Sequence, residues 1–121
     1  MDVGEEFRGK GANVILGPGL EVMRVARDGR GFEYISGDDP VLGAKIGAKY
    51  VEGVQPMGVM AVLKHLALHH QQENNKHESS NIDAKTLWEL YYPPFAAGIE
   101  ADAVSVMSAY SKVNETWVAE N

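Results

Sequence analysis

Three short apolar runs punctuate the chain: Val14-Ile15-Leu16, Val59-Met60-Ala61-Val62-Leu63 and Ala103-Val104-Ser105-Val106-Met107. Runs of this length, broken only by Ser105, suit strands of a parallel sheet covered on both faces. The first ends at Gly17-Pro18-Gly19, a clear stop signal. The stretches between the runs carry helical patterning. Asp39-Pro40 reads as an N-cap followed by proline at the first helical position. Leu42, Ile46, Tyr50 and Val54 then recur every four residues, which predicts one shared buried face. Gly43, Gly47 and Gly53 weaken that helix but let it pack close to a sheet. A second helix is predicted from Asp83, with Leu87, Leu90 and Tyr91 on one face. Pro93-Pro94 must break it, because neither proline donates a hydrogen bond. Pro94 can open a further short helix carrying Phe95 and Ile99, and Glu5 to Lys10 reads as the end of another. The order helix, strand, helix, strand, helix, strand predicts right-handed βαβ crossovers and an α/β fold. A doubly wound sheet and a closed barrel both satisfy that alternation.

Composition narrows the class of protein. A chain of 121 residues suits one domain or part of one, and an apolar fraction of 45% suits a packed core. No apolar run approaches the roughly 20 residues of a membrane helix. The opening Met1-Asp2-Val3-Gly4-Glu5-Glu6 is acidic where a signal peptide would be basic. Net charge is −6, and an acidic surface repels phosphates, so nucleic acid is not an expected partner. The lack of cysteine excludes disulfides and thiol catalysis. Asn114-Glu115-Thr116 is a glycosylation sequon, a weak pointer to a secretory route that chance occurrence explains better.

The polar residues favour the barrel. In a barrel enzyme the active site lies at the C-terminal ends of the strands. The first run leads into a long arginine-bearing loop, the second ends at Lys64-His65, and the third ends at Met107 with Tyr110 shortly after. Each run therefore delivers polar or aromatic groups to one rim. Sugar hydroxyls both donate and accept, so a sugar pocket needs charged and polar groups around the ring edge and a flat apolar group on its face. Arg30, Lys64 and His65 suit the first task, and Met107 or Tyr110 the second.

Two other clusters invite catalytic or metal readings. Asp38 and Asp39 are adjacent, so they cannot face each other across a substrate, and Asp39 has a helix to cap. His65, His69, His70 and His77 lack the His-Glu-x-x-His spacing of a helical zinc site, and His65 ends a strand, so a metal is not expected.

Five segments carry a resemblance. They are Glu6-Phe7-Arg8-Gly9-Lys10-Gly11-Ala12-Asn13-Val14 with Leu16-Gly17-Pro18-Gly19; Arg27-Asp28-Gly29-Arg30-Gly31-Phe32-Glu33-Tyr34 running on to Pro40; Lys64-His65 with Gln72-Glu73; Ile82-Asp83 through Leu87, Glu89, Leu90, Tyr91, Pro94 and Phe95; and Ser105 to Asn114. In this order they resemble glycoside hydrolase family 3, in particular its β-glucosidases. The resemblance implies that residues 1–121 are part of the family's N-terminal (β/α)₈ barrel domain, with about three parallel strands and their helices. It implies a retaining two-carboxylate mechanism that releases terminal β-linked glucose from a β-glucoside or oligosaccharide, without a cofactor. Arg30, Lys64 and His65 would hold hydroxyls of the terminal sugar, and Met107 and Tyr110 would line the same subsite.

The departures also matter. The family's nucleophile sits in a Ser-Asp-Trp-like segment, and no such segment occurs here. The acid/base would come from a later domain, and a sugar-binding aspartate from before Met1, so catalytic residues are expected outside this chain and the remainder of the parent enzyme is its implied partner. His69-His70 stand where an asparagine pair is common, and Lys76 where an arginine is usual. A β-xylosidase is the alternative within the family; a non-catalytic, truncated product is the alternative outside enzymology. The family resemblance and the sequon together imply a secreted parent.

Overall fold

The computed structural model describes residues 2–121. Three parallel strands form the main sheet: β1 (Val14–Ile15), β2 (Met60–Leu66) and β4 (Ser105–Ser108), in the spatial order β1-β2-β4. Helix α1 (Asp2–Gly9) precedes β1, and α2 (Pro40–Val54) joins β1 to β2. A short helix α3 (Ala84–Thr86) with a π-helical turn (Leu87–Tyr91), then α4 (Pro93–Glu100), lead from β2 to β4. Each strand thus lies beside the next in chain order, with a helical crossover between. A doubly wound sheet reverses direction at a switch point, and a barrel does not. The observed order is that of a run of barrel strands. A second small sheet, β3-β5-β6 (Ser79–Ser80, Lys112–Val113, Thr116–Trp117), is formed by the segments that follow β2 and β4.

The helix starts follow the expected chemistry. Asp39 accepts from the backbone N–H groups of Val41 and Leu42, and Pro40 occupies the first turn of α2. Asp83 caps α3 by accepting from the Thr86 N–H and hydroxyl. Pro93 and Pro94 begin α4 with no N–H to leave unsatisfied.

The buried face of α2 differs from the expected one. Gly43, Gly47, Val51 and Val54 are buried, whereas Leu42 and Ile46 are exposed. The glycines are the contact surface: α2 lies so close to its neighbours that a Cβ on Gly43 would overlap the Ser36 hydroxyl and one on Gly47 would meet Leu20 Cδ2 at 2.7 Å. Leu90, expected to share a face with Leu87 and Tyr91, is exposed, as is Ile99, while Tyr91 and Phe95 supply the burial. Both-face burial holds for β2 alone; β1 and β4 flank it and keep Val14 and Val106 exposed. The third strand begins at Ser105, so Ala103-Val104 belong to the preceding connection.

The core gathers Ile15, Leu20, Val51, Val54, Val59, Ala61, Leu63 and Phe95 between sheet and helices. A second cluster of Val22, Ala67, Leu68, Tyr91 and Val113 lies under the C-terminal end of the sheet. It supports the loops described next.

Candidate sugar-binding site

Lys64 and His65 lie inside β2, not past its end, because the strand runs on to Leu66. The pairing of β2 with β4 is irregular there: Leu63 faces Val106 but Leu66 faces Ser108, so β2 carries one residue more than its partner across Lys64-His65. Such a bulge re-aims side chains at the rim of a sheet. The chain beyond β1 also runs beside β2, with Leu20 N–H donating to the Lys64 carbonyl at 2.8 Å. That path needs glycine at position 19, where a Cβ would sit 2.7 Å from Tyr34 Cδ1 and 2.9 Å from the Glu33 carbonyl oxygen. The arginine-bearing loop is thereby pressed against the end of β2.

The loop is fixed by its own side chains. Asp28 is buried, and its Oδ1 accepts from the Arg30 and Gly31 backbone N–H groups, both at 2.7 Å. Its carbonyl receives the Gln72 N–H at 2.9 Å, tying the loop to the segment after β2. Arg30 enters the cavity wall from this anchored turn. A single cavity of about 490 Å³ is lined by Leu16, Arg30, Lys64, His65, Met107, Ser108 and Tyr110. All five residues singled out from the sequence are therefore brought together. Met107 is half-buried on β4, and Tyr110 is 61% exposed at the rim, with Lys76 Nζ 5.7 Å from its ring centroid.

Behind the lining lies a charge network that sequence reasoning did not single out. Glu33 Oε1 accepts from Arg30 Nε at 2.7 Å and lies 2.6 Å from Nη2, while Oε2 accepts from Lys64 Nζ at 2.9 Å. Partial burial raises the Glu33 carboxyl pKa, but hydrogen bonds and charge from Lys64 and Arg30 outweigh it and hold the carboxyl below its ordinary value. His69 is fully buried, and its Nε2 lies 2.7 Å from Arg30 Nη1. Tyr34 OH donates to the His69 carbonyl oxygen at 3.1 Å and lies 3.2 Å from His65 Nδ1. With its one proton so used, Tyr34 accepts from Nδ1–H of neutral His65, which leaves His65 Nε2 as an acceptor. Burial lowers the pKa of His65 and His69 to about 4 each, with the charge of Arg30 adding to both. Below them Glu21 is wholly buried, accepts from the Leu68 and His69 N–H groups at 3.2 and 3.0 Å, and is pushed up to about 8 by desolvation. The only sequence signal for Asp28, Glu33 and Tyr34 was their place in the Arg27 to Tyr34 segment; Glu21 gave none.

The cavity wall thus offers donors from Arg30 and Lys64, an acceptor from His65, and apolar surface from Met107 and Tyr110. None of its lining residues is a carboxylate. No group of three or more His, Cys, Asp or Glu side chains suited to a metal occurs among the described residues. No helix among them is long and apolar enough to cross a membrane.

The sequence profile described as "Glycosyl hydrolase family 3 N terminal domain" matches residues 1–121. The chain belongs to glycosyl hydrolase family 3. Within the family, "Probable beta-glucosidase F" of Neosartorya fischeri is 44% identical over 128 residues, covering 100% of this chain and 15% of that protein. Beta-glucosidase 3B of Thermotoga neapolitana, solved in complex with glucose, superposes with a TM-score of 0.90 at 36% identity, covering 96% of this chain and 16% of the other. Beta-D-glucoside glucohydrolase of Trichoderma reesei gives 0.92 at 40% identity, covering 98% and 17%. The fold is accordingly a portion of the family 3 N-terminal barrel. The chain spans about 15% of the length of the curated relative from N. fischeri.

Proposed function

We propose that residues 1–121 form one stretch of the barrel domain of an exo-acting, retaining β-glucosidase, and that the cavity is its innermost sugar subsite. The observation that carries this reading is the convergence of Arg30, Lys64, His65, Met107 and Tyr110 on one cavity of about 490 Å³. That volume suits a monosaccharide ring, and pockets for small ligands begin near 300 Å³. The donors of Arg30 and Lys64 and the acceptor of His65 match hydroxyls that both accept and donate. Met107 and Tyr110 supply surface for the C–H face of the ring. The nucleophile and the acid/base come from other parts of a longer polypeptide, because a retaining mechanism needs two carboxylates about 5 Å apart at the scissile bond. The substrate is a β-glucoside or oligosaccharide with a terminal glucose.

The parent enzyme is secreted on this reading, and the support is the family. The sequon adds little: Asn114 Nδ2 donates to the Ile82 carbonyl at 2.9 Å and Oδ1 accepts the Ile82 N–H at 2.8 Å, so its amide is already engaged.

The test is Lys64→Ala in the complete protein. Loss of a charge-assisted hydrogen bond costs about 1.5–3 kcal/mol, so glucose affinity and kcat/KM for an aryl β-glucoside fall about ten-fold to a hundred-fold. Unchanged binding and turnover would remove Lys64 from the site and, with it, this reading of the cavity.

A further inference from the structure

We propose that Glu33 is a positioning residue of the sugar subsite: it sets the separation and aim of Arg30 and Lys64 without touching substrate. The inference rests on the reading of the cavity as a sugar subsite. Glu33 is absent from the cavity lining, while both of its partners are in it. Its two oxygens are divided between them, Oε1 to Arg30 and Oε2 to Lys64. Arg30 and Glu33 share one loop, but Lys64 comes from β2, so this carboxylate bridges the loop to the sheet. All three side chains are mostly withdrawn from water, with exposures of 17%, 22% and 16%.

The electrostatics require such a group. Two cations held side by side in a partly buried wall repel each other, and burial weakens the screening that water would provide. A carboxylate between them converts repulsion into a shared attraction. Arg30 is then held at a second point by His69 through Nη1. Two anchors in the plane of a guanidinium fix its orientation, because the fork is rigid. The remaining N–H groups of the fork and of the ammonium stay free to donate to hydroxyls. Glu33 is not the acid of the reaction: its neighbours keep it ionised, and its oxygens are already taken.

The experiment compares Glu33→Gln, Lys64→Met and the double variant in the complete protein, using glucose binding by calorimetry and steady-state turnover of an aryl β-glucoside. Glutamine keeps the shape but not the charge. Glu33→Gln is expected to raise the glucose Kd and the KM about ten-fold. In the Lys64→Met background the same change is expected to cost markedly less, since one of the two cations it positions is gone. A merely structural role would give equal penalties in both backgrounds. Should Glu33→Gln not fold, Glu33→Asp replaces it: the shorter carboxylate keeps its charge but cannot span both partners, and a raised Kd is again expected. Wild-type binding in the glutamine or aspartate variant, or equal penalties in the two backgrounds, would overturn the positioning role. If Lys64→Met itself leaves glucose binding unchanged, it is the subsite reading that falls.

Discussion

His69 Nε2 and Arg30 Nη1 are 2.7 Å apart, and since a guanidinium only donates, His69 must be the acceptor. The imidazole is therefore neutral with its proton on Nδ1. This fits its burial, which together with the positive charge of Arg30 lowers its pKa from 6.5 to about 4. A histidine whose pKa is lowered on folding contributes stability that is complete above 6.5 and lost as pH falls towards 4. Protonation would also set two cations against each other beside the cavity.

The first prediction is a titration. The His69 imidazole should titrate near pH 4 by NMR, and glucose affinity of the complete protein should weaken as that value is approached. His69→Asn substitutes a carbonyl acceptor that does not titrate, so the part of the acid sensitivity due to His69 should disappear. A His69 midpoint close to the ordinary 6.5 would show that the buried bond to Arg30 is not what holds the ring neutral.

A second prediction concerns α2. Glycine to alanine in a helix interior normally stabilises by about 1 kcal/mol. Gly43→Ala should do the reverse, because the added Cβ overlaps the Ser36 hydroxyl and comes within 2.6 Å of Ser36 Cβ. Ser36 is fully buried and donates to the Leu20 carbonyl at 2.8 Å, so it cannot swing aside without losing that bond. A net destabilisation of about 1–3 kcal/mol is expected from overpacking, read as a lowered urea midpoint of the complete protein. Gly47→Ala should cost less, since its obstacle is the flexible end of Leu20. Alanine stabilising at position 43 would mean that α2 stands further from the loop.

The contrast between these glycines and the expected leucine face shows what the sequence could and could not convey. The apolar runs, the Asp39-Pro40 start and the double-proline start of α4 were legible because their causes are local. The buried face of α2 was not, because a glycine counts for little in a hydrophobic pattern yet permits the closest approach. Five of the seven lining residues were legible through segments matched in order to a family. Their supports were not: Glu33 meets Lys64 across 31 positions and Glu21 meets His69 across 48, and neither spacing leaves a periodic trace.

The third prediction concerns the 121-residue polypeptide produced alone. β1 and β4 each pair on one side only within the main sheet, which leaves two open edges. On or next to these strands Leu16, Val104 and Val106 are exposed, and on the helical segment Trp88 and Ile99 are exposed and line, with Leu66, Tyr92 and Phe95, an apolar hollow of about 200 Å³. Unpaired parallel edges next to exposed apolar side chains favour association. The isolated chain should therefore bind a hydrophobic dye and self-associate as its concentration rises. It should also release no phenol from an aryl β-glucoside, because the cavity is lined by cations, an imidazole, hydroxyls and apolar groups but no carboxylate. Dye binding and sedimentation test the first half, and a chromogenic assay at high protein concentration tests the second. Steady turnover that is abolished by Lys64→Ala would overturn the claim, for it would require a nucleophile and an acid within these residues.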